Sequence, residues 1–77
     1  MNNEIKLNWY KYVVKRYLCD LLECMEKSTT EIERRYYLDR YDVALSIFAG
    51  ELGVRPSILS RYINIFRETS RKLQERA

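Results

Sequence analysis

Apolar residues recur along this chain at three- and four-residue intervals, and runs that alternate apolar with polar are few. Only two glycines and one proline punctuate its 77 residues, so the pattern predicts an all-α chain. Four helices are expected, at about residues 4–27, 30–38, 42–52 and 56–74. In the first, Leu7, Tyr10, Val14, Tyr17, Leu21 and Cys24 form one seam close to three heptads long, widened by Leu18 and Met25. At about 1.5 Å per residue that helix measures roughly 36 Å, more than a small domain needs to cover its own core. A second set, Ile5, Trp9, Tyr12 and Cys19, falls within about 80° on the opposite side. Aromatic residues are enriched where subunits meet, so these four are the expected dimer interface. The plainer alternative is a semi-exposed aromatic edge, which small proteins tolerate.

The run "KSTTEIE" ends the first helix and opens the next. Ser28 and Thr30 each precede a glutamate by three residues, Glu31 and Glu33, the spacing of a capping box. Residues 30–52 can form one helix or two. Asp39 and Asp42 can both cap a new helix carrying Val43, Leu45, Ile47, Phe48 and Leu52, so a break near Asp39 is expected. Pro56 suits a first helical turn and opens the last helix.

Between the last two helices lies "LGVRPSILSRYI", with a tight turn at Gly53-Val54-Arg55. A helix–turn–helix corner needs a small residue where the second helix crosses the first, and Ala49 stands there. It needs tolerance of positive φ, which Gly53 supplies. It also needs apolar residues that lock the helices together: Phe48, Leu52, Val54, Leu59 and Tyr62 or Ile63. On the last helix Leu59, Tyr62, Ile63, Phe66 and Leu73 cluster on one side, while Ser57, Ser60, Arg61, Asn64, Arg67, Glu68 and Arg71 cluster on the other. Short hydrogen-bonding side chains at a helix start, followed by arginines, are what a major-groove recognition helix requires. Arg61 can pair with guanine and Asn64 with adenine, while Ser57 and the first amides hold a phosphate.

Residues 47–63, "IFAGELGVRPSILSRYI", resemble the helix-turn-helix of prokaryotic transcriptional regulators, archaeal ones in particular. The shared pattern is carried by Leu52, Gly53, Val54, Pro56, Ser57, Ser60, Arg61 and Tyr62. The resemblance implies that Arg55, Ser57, Ser60, Arg61 and Asn64 face double-stranded DNA. It covers under a third of the chain and departs from the pattern after Tyr62, where "INIFRETSRKL" prolongs the helix in place of a small glycine. Small size and tyrosine richness are also similar to regulators carried by archaeal viruses or plasmids.

Composition bounds the rest. A chain of this length makes one domain, residues 1–77, and buries only about 60–65 % of its unfolded surface, so a partner subunit would help its stability. Seven tyrosines suit the rim of a thin core or an interface. The net charge is +3, but it is uneven. Asp20, Glu23, Glu26, Glu31 and Glu33 crowd the middle, whereas Arg55, Arg61, Arg67, Arg71, Lys72 and Arg76 load the C-terminal third, an arrangement that suits a polyanion. Histidine is absent, and no glycine-rich phosphate loop or metal-ligand cluster is present, so an enzyme, a cofactor and a metal are not expected. Cys19 and Cys24 lie on different helix faces and read as reduced thiols of a cytoplasmic protein, with no membrane-spanning run and no small-molecule ligand evident. The expected function is therefore sequence-specific DNA binding by a homodimeric regulator. The alternative is a helical protein-interaction module or small accessory subunit of a replication or transcription complex.

Overall fold

The computed structural model describes residues 8–76. Among these the chain is all-helical, in three helices: α1 (Lys15–Lys27), α2 (Glu31–Leu52) and α3 (Pro56–Arg76). A π turn, Tyr10–Val14, runs directly into α1 with helical backbone angles on both sides. The expected start of the first helix near residue 4 lies outside the described residues.

The π turn sets the face that the start of this helix presents. Each π residue advances by about 80° instead of about 100°, so five of them slip the helix phase by about one residue. Relative to the buried Val14, Leu18, Leu21 and Leu22, that slip leaves Tyr10 on the core side and carries Trp9 to its flank. A uniform 100° wheel puts Trp9 on the opposite side. In the fold Trp9 meets Phe48 edge-on, with ring centroids 5.4 Å apart. Tyr17 also meets Phe48 edge-on, at a centroid distance of 5.7 Å.

Residues 31–52 form one helix, not two, which corrects the expected break near Asp39 and the total of four helices. The physical reason is plain: no glycine or proline interrupts residues 31–49, and both Asp39 and Asp42 stand in solvent instead of capping backbone. Thr30 is the cap that is used. Its Oγ1 accepts the Glu33 backbone N–H at 3.2 Å, and Glu31 and Glu33 place negative charge on the first turn, where the helix dipole favours it. Ser28 closes α1, its hydroxyl donating to the Cys24 carbonyl at 2.8 Å.

At the other end of α2, Gly53 adopts φ +74°, the only positive φ among the described residues. Its N–H donates to the Gly50 carbonyl at 3.2 Å, and the Val54 N–H reaches the Ala49 carbonyl at 3.0 Å. These paired bonds are a Schellman closure, which needs a left-handed residue where a Cβ would be strained. The Arg55 carbonyl then accepts from Ile58 and Leu59, so α3 starts at Pro56, whose missing N–H costs nothing there. Between Glu31–Leu52 and Pro56–Glu75 the chain direction bends by 106°.

The core is thin. Val14, Leu18, Leu21 and Leu22 meet Tyr41, Ala44, Leu45 and Ala49 of α2 and Leu59 and Ile63 of α3. The molecule measures 42 × 34 × 18 Å, and 18 Å is less than two full helix diameters of about 10–12 Å each. It exposes 6184 Å², against roughly 5,000 Å² for a compact monomer of its 9.4 kDa mass. A slab this thin cannot cover every helix on both sides.

Candidate nucleic-acid interface

The surface in question is the side of α3 turned away from α2, together with the turn that leads into it. Leu59 and Ile63 are fully buried and fix how α3 sits. Ser60, Arg67 and Ser70 are half-buried beside them, so the packed stripe is rotated toward Ser60 and Arg67 relative to the sequence expectation. Tyr62, placed in the core by periodicity, is 59 % exposed. Ile63 is the residue that locks the helices, and Tyr62 is not. Ile58 and Ile65 also stand on the outer side.

This rotation sorts the candidate DNA-facing residues into two groups. Arg55, Ser57, Arg61 and Asn64 are exposed. Arg55, Arg61 and Arg71 make no ion pair among the described residues. Ser60, in contrast, is turned inward: its hydroxyl lies 3.3 Å from the Tyr41 hydroxyl, a bond that ties α3 to the middle of α2. Arg67 is drawn to α1, where it forms an ion pair and hydrogen bond with Glu26. Glu68 takes Lys72, at 3.5 Å one turn on. Arg71 and Asn64 border a cleft of about 580 Å³ whose other wall holds Glu23 and Glu26 of α1. Arg55 and Arg61, unpaired among the described residues, thus stand at the turn and the N-terminal half of α3, while Arg71 shares its cleft with the acidic flank of α1.

The expected dimer residues are dispersed. Ile5 lies outside the described residues, Trp9 packs on Phe48 and Cys19 against the core, and Tyr12 is 74 % exposed. Part of α1 packs within its own chain. Lys15 Nζ sits 3.9 Å from the centroid of the Phe66 ring, a cation–π contact that fastens α1 to α3.

The titratable groups fit structural roles. Burial pushes the Cys19 thiol up, against the opposing pull of Arg67 and Lys15, so it is not poised as a thiolate. Burial likewise raises the Tyr10 phenol. Glu23 is held low, and Lys27 high, by their mutual hydrogen bond at 2.7 Å on the α1 surface. Among the described residues no group of three His, Cys, Asp or Glu side chains is placed to hold a metal ion. No single described helix is long and apolar enough to cross a membrane.

Sequence reasoning also missed the outward side of α2. Ile32, Tyr36, Val43 and Ile47 recur there at four-, seven- and four-residue steps, opposite the buried Tyr41, Leu45 and Ala49. The signal was present in the spacing, but splitting the helix at Asp39 divided it between two elements. No protein-family model, no curated protein and no solved structure matches the chain.

Proposed function

We propose that the chain is a small double-stranded DNA-binding protein, a transcriptional regulator acting as a homodimer, which reads the major groove with the N-terminal half of α3. The observation that carries this reading is the corner itself. A 106° bend at a three-residue turn closed by Gly53 matches the geometry in which a helix-turn-helix presents its second helix. Ser57 and Arg61 then occupy the outward first turns of that helix.

Each exposed residue takes a role from its chemistry. Arg55 and the Ser57 backbone amide and hydroxyl at the start of α3 hold phosphate. Arg61 is suited to guanine O6 and N7, and Asn64, at the edge of the surface, to adenine. Ile58 and Ile65 add apolar contacts of the kind thymine methyl groups accept. Arg71 contributes a phosphate contact at most. Arg67 is already paired with Glu26, and Ser60 with Tyr41, so both support the surface instead of meeting DNA.

Selection from a pool of random-sequence duplexes tests this reading. A shared motif should emerge, and binding should weaken steeply as salt rises, because neutralising phosphates releases counterions. An absence of any enriched motif, with no duplex binding at low salt, would favour the interaction-module alternative. That alternative draws on a separate observation, the apolar outer side of α2, which concerns how the chain meets other protein.

A further inference from the structure

A helix that is apolar on two opposite sides is ordinarily covered on both. The inner side of α2 is covered by α1 and α3. The outer side is open: Ile32 is 83 % exposed, Tyr36 53 %, Val43 61 % and Ile47 58 %. Beside it runs a groove of about 570 Å³, bounded by Tyr17, Tyr36, Val43, Ile47 and Phe48. Arg40 lies along this surface. Its Nη1 donates to the Tyr36 hydroxyl at 3.0 Å, and its guanidinium carbon sits 5.4 Å from that ring's centroid.

We propose that this outer side of α2 is the homodimer interface, occupied by α2 of a second copy running antiparallel to it. The charges flanking the stripe select that occupant. On one flank stand Glu33 and Arg40; on the other stand Arg35 and Asp39. A two-fold axis normal to an antiparallel pair brings like flanks together. With the axis near residue 37, Glu33 of each copy lies opposite Arg40 of the other, and Arg35 lies opposite Asp39. Four complementary pairs result. In the same register Ile32 meets Val43 of the second copy, Tyr36 approaches its own equivalent, and Ile47 meets the α1–α2 turn.

Other registers lose this match. Centring the axis between Asp39 and Arg40 sets arginine against arginine on one flank and aspartate against aspartate on the other. Like-charge juxtaposition of that kind selects against a partner. Glu33, Arg35 and Asp39 make no ion pair among the described residues, so they are available to the second copy. Arg40, resting on Tyr36, loses little freedom on docking.

The proposal deepens only the homodimer part of the functional reading and requires no DNA. It is tested by sedimentation velocity on the full chain without nucleic acid, with circular dichroism to verify folding. The native chain should be a dimer at micromolar concentration. Val43→Glu, at an exposed position, should leave helix content unchanged and weaken the dimer by about tenfold or more. Arg40→Glu should weaken it too, and adding Glu33→Arg to that variant should restore it. Tyr12→Glu, in the π turn before α1, should leave it intact. A monomeric native chain, a dimer indifferent to Val43→Glu, or a double variant no better than Arg40→Glu would each overturn the proposal. Duplex binding by a monomer would then leave the reading of α3 standing.

Discussion

The two sides of α2 look alike in composition and differ in what they meet. The inner side, Tyr41, Ala44, Leu45 and Ala49, is buried against two helices. The outer side, Ile32, Tyr36, Val43 and Ile47, is as apolar and stands in solvent. Hydrophobic periodicity can locate an apolar face but cannot say which neighbour covers it. α3 makes the contrast sharper, because one side packs through Leu59 and Ile63 while its other side mixes Arg61 with Ile58 and Ile65. A thin three-helix slab has core on one side of each helix, so apolar residues on the second side find no cover among the described residues.

Removing a side chain from each side of α2 should separate them most strongly. Leu45→Ala in the core should lower unfolding free energy by about 2–5 kcal/mol, a large part of the total for a domain this small. Val43→Ala, measured where the chain is monomeric, should change it by less than about 0.5 kcal/mol. Equal losses in chemical denaturation would mean that the outer side is covered within the chain.

The corner between α2 and α3 should respond less. An alanine Cβ at position 53 meets no atom within 4 Å, so Gly53→Ala is penalised by its positive φ alone. About 1–2 kcal/mol of stability should be lost. A neutral result would show that the corner relaxes to a different turn. Tyr41→Phe should cost about 0.5–1.5 kcal/mol by removing the bond to Ser60. Because that bond anchors the start of α3, duplex affinity should fall alongside stability.

The smallest effects are expected at the rim. The Arg67–Glu26 pair is partly exposed, and a double-mutant cycle should return under about 1 kcal/mol. Cys19, half-buried, should react with a thiol reagent more slowly than the exposed Cys24. Its thiol titrates higher in the fold than in the unfolded chain, chiefly through burial. Its contribution to stability is therefore complete below the ordinary thiol range and declines as pH rises through the raised value. Cys19→Ser should flatten that alkaline decline, which equilibrium unfolding against pH would register.

Much of the fold was legible where one residue type had one physical job. Gly53 turned out to supply the left-handed cap, Pro56 the first turn of α3, Thr30 the cap of α2, and Ala49 the zero-exposure site beneath the corner. Three features were not legible. The π turn at Tyr10–Val14 shifts helix phase without any glycine or proline to announce it, and so moved Trp9 onto Phe48. Asp39 and Asp42 have capping chemistry but sit mid-helix, because packing of Tyr41 and Leu45 between and beyond them outweighs a local preference. The packed stripe of α3 could not be fixed to better than about a quarter of a turn, since Tyr62 and Ile63 both suit the anchor position and only the neighbouring helices choose between them. That same uncertainty exchanged Ser60 and Arg67, expected on the DNA side, for the exposed Ile58 and Ile65.

Arg61 is the point at which the functional account stands or falls. It is exposed on the outer side of α3 and pairs with no carboxylate among the described residues, so replacing it should leave the fold intact. Affinity of Arg61→Ala for a selected duplex should be measured beside that of the native chain, across a range of salt concentrations. A loss of about 1–3 kcal/mol confined to the selected sequence, with relaxed preference at one base pair, is the predicted result. Unchanged affinity and unchanged sequence preference would contradict it.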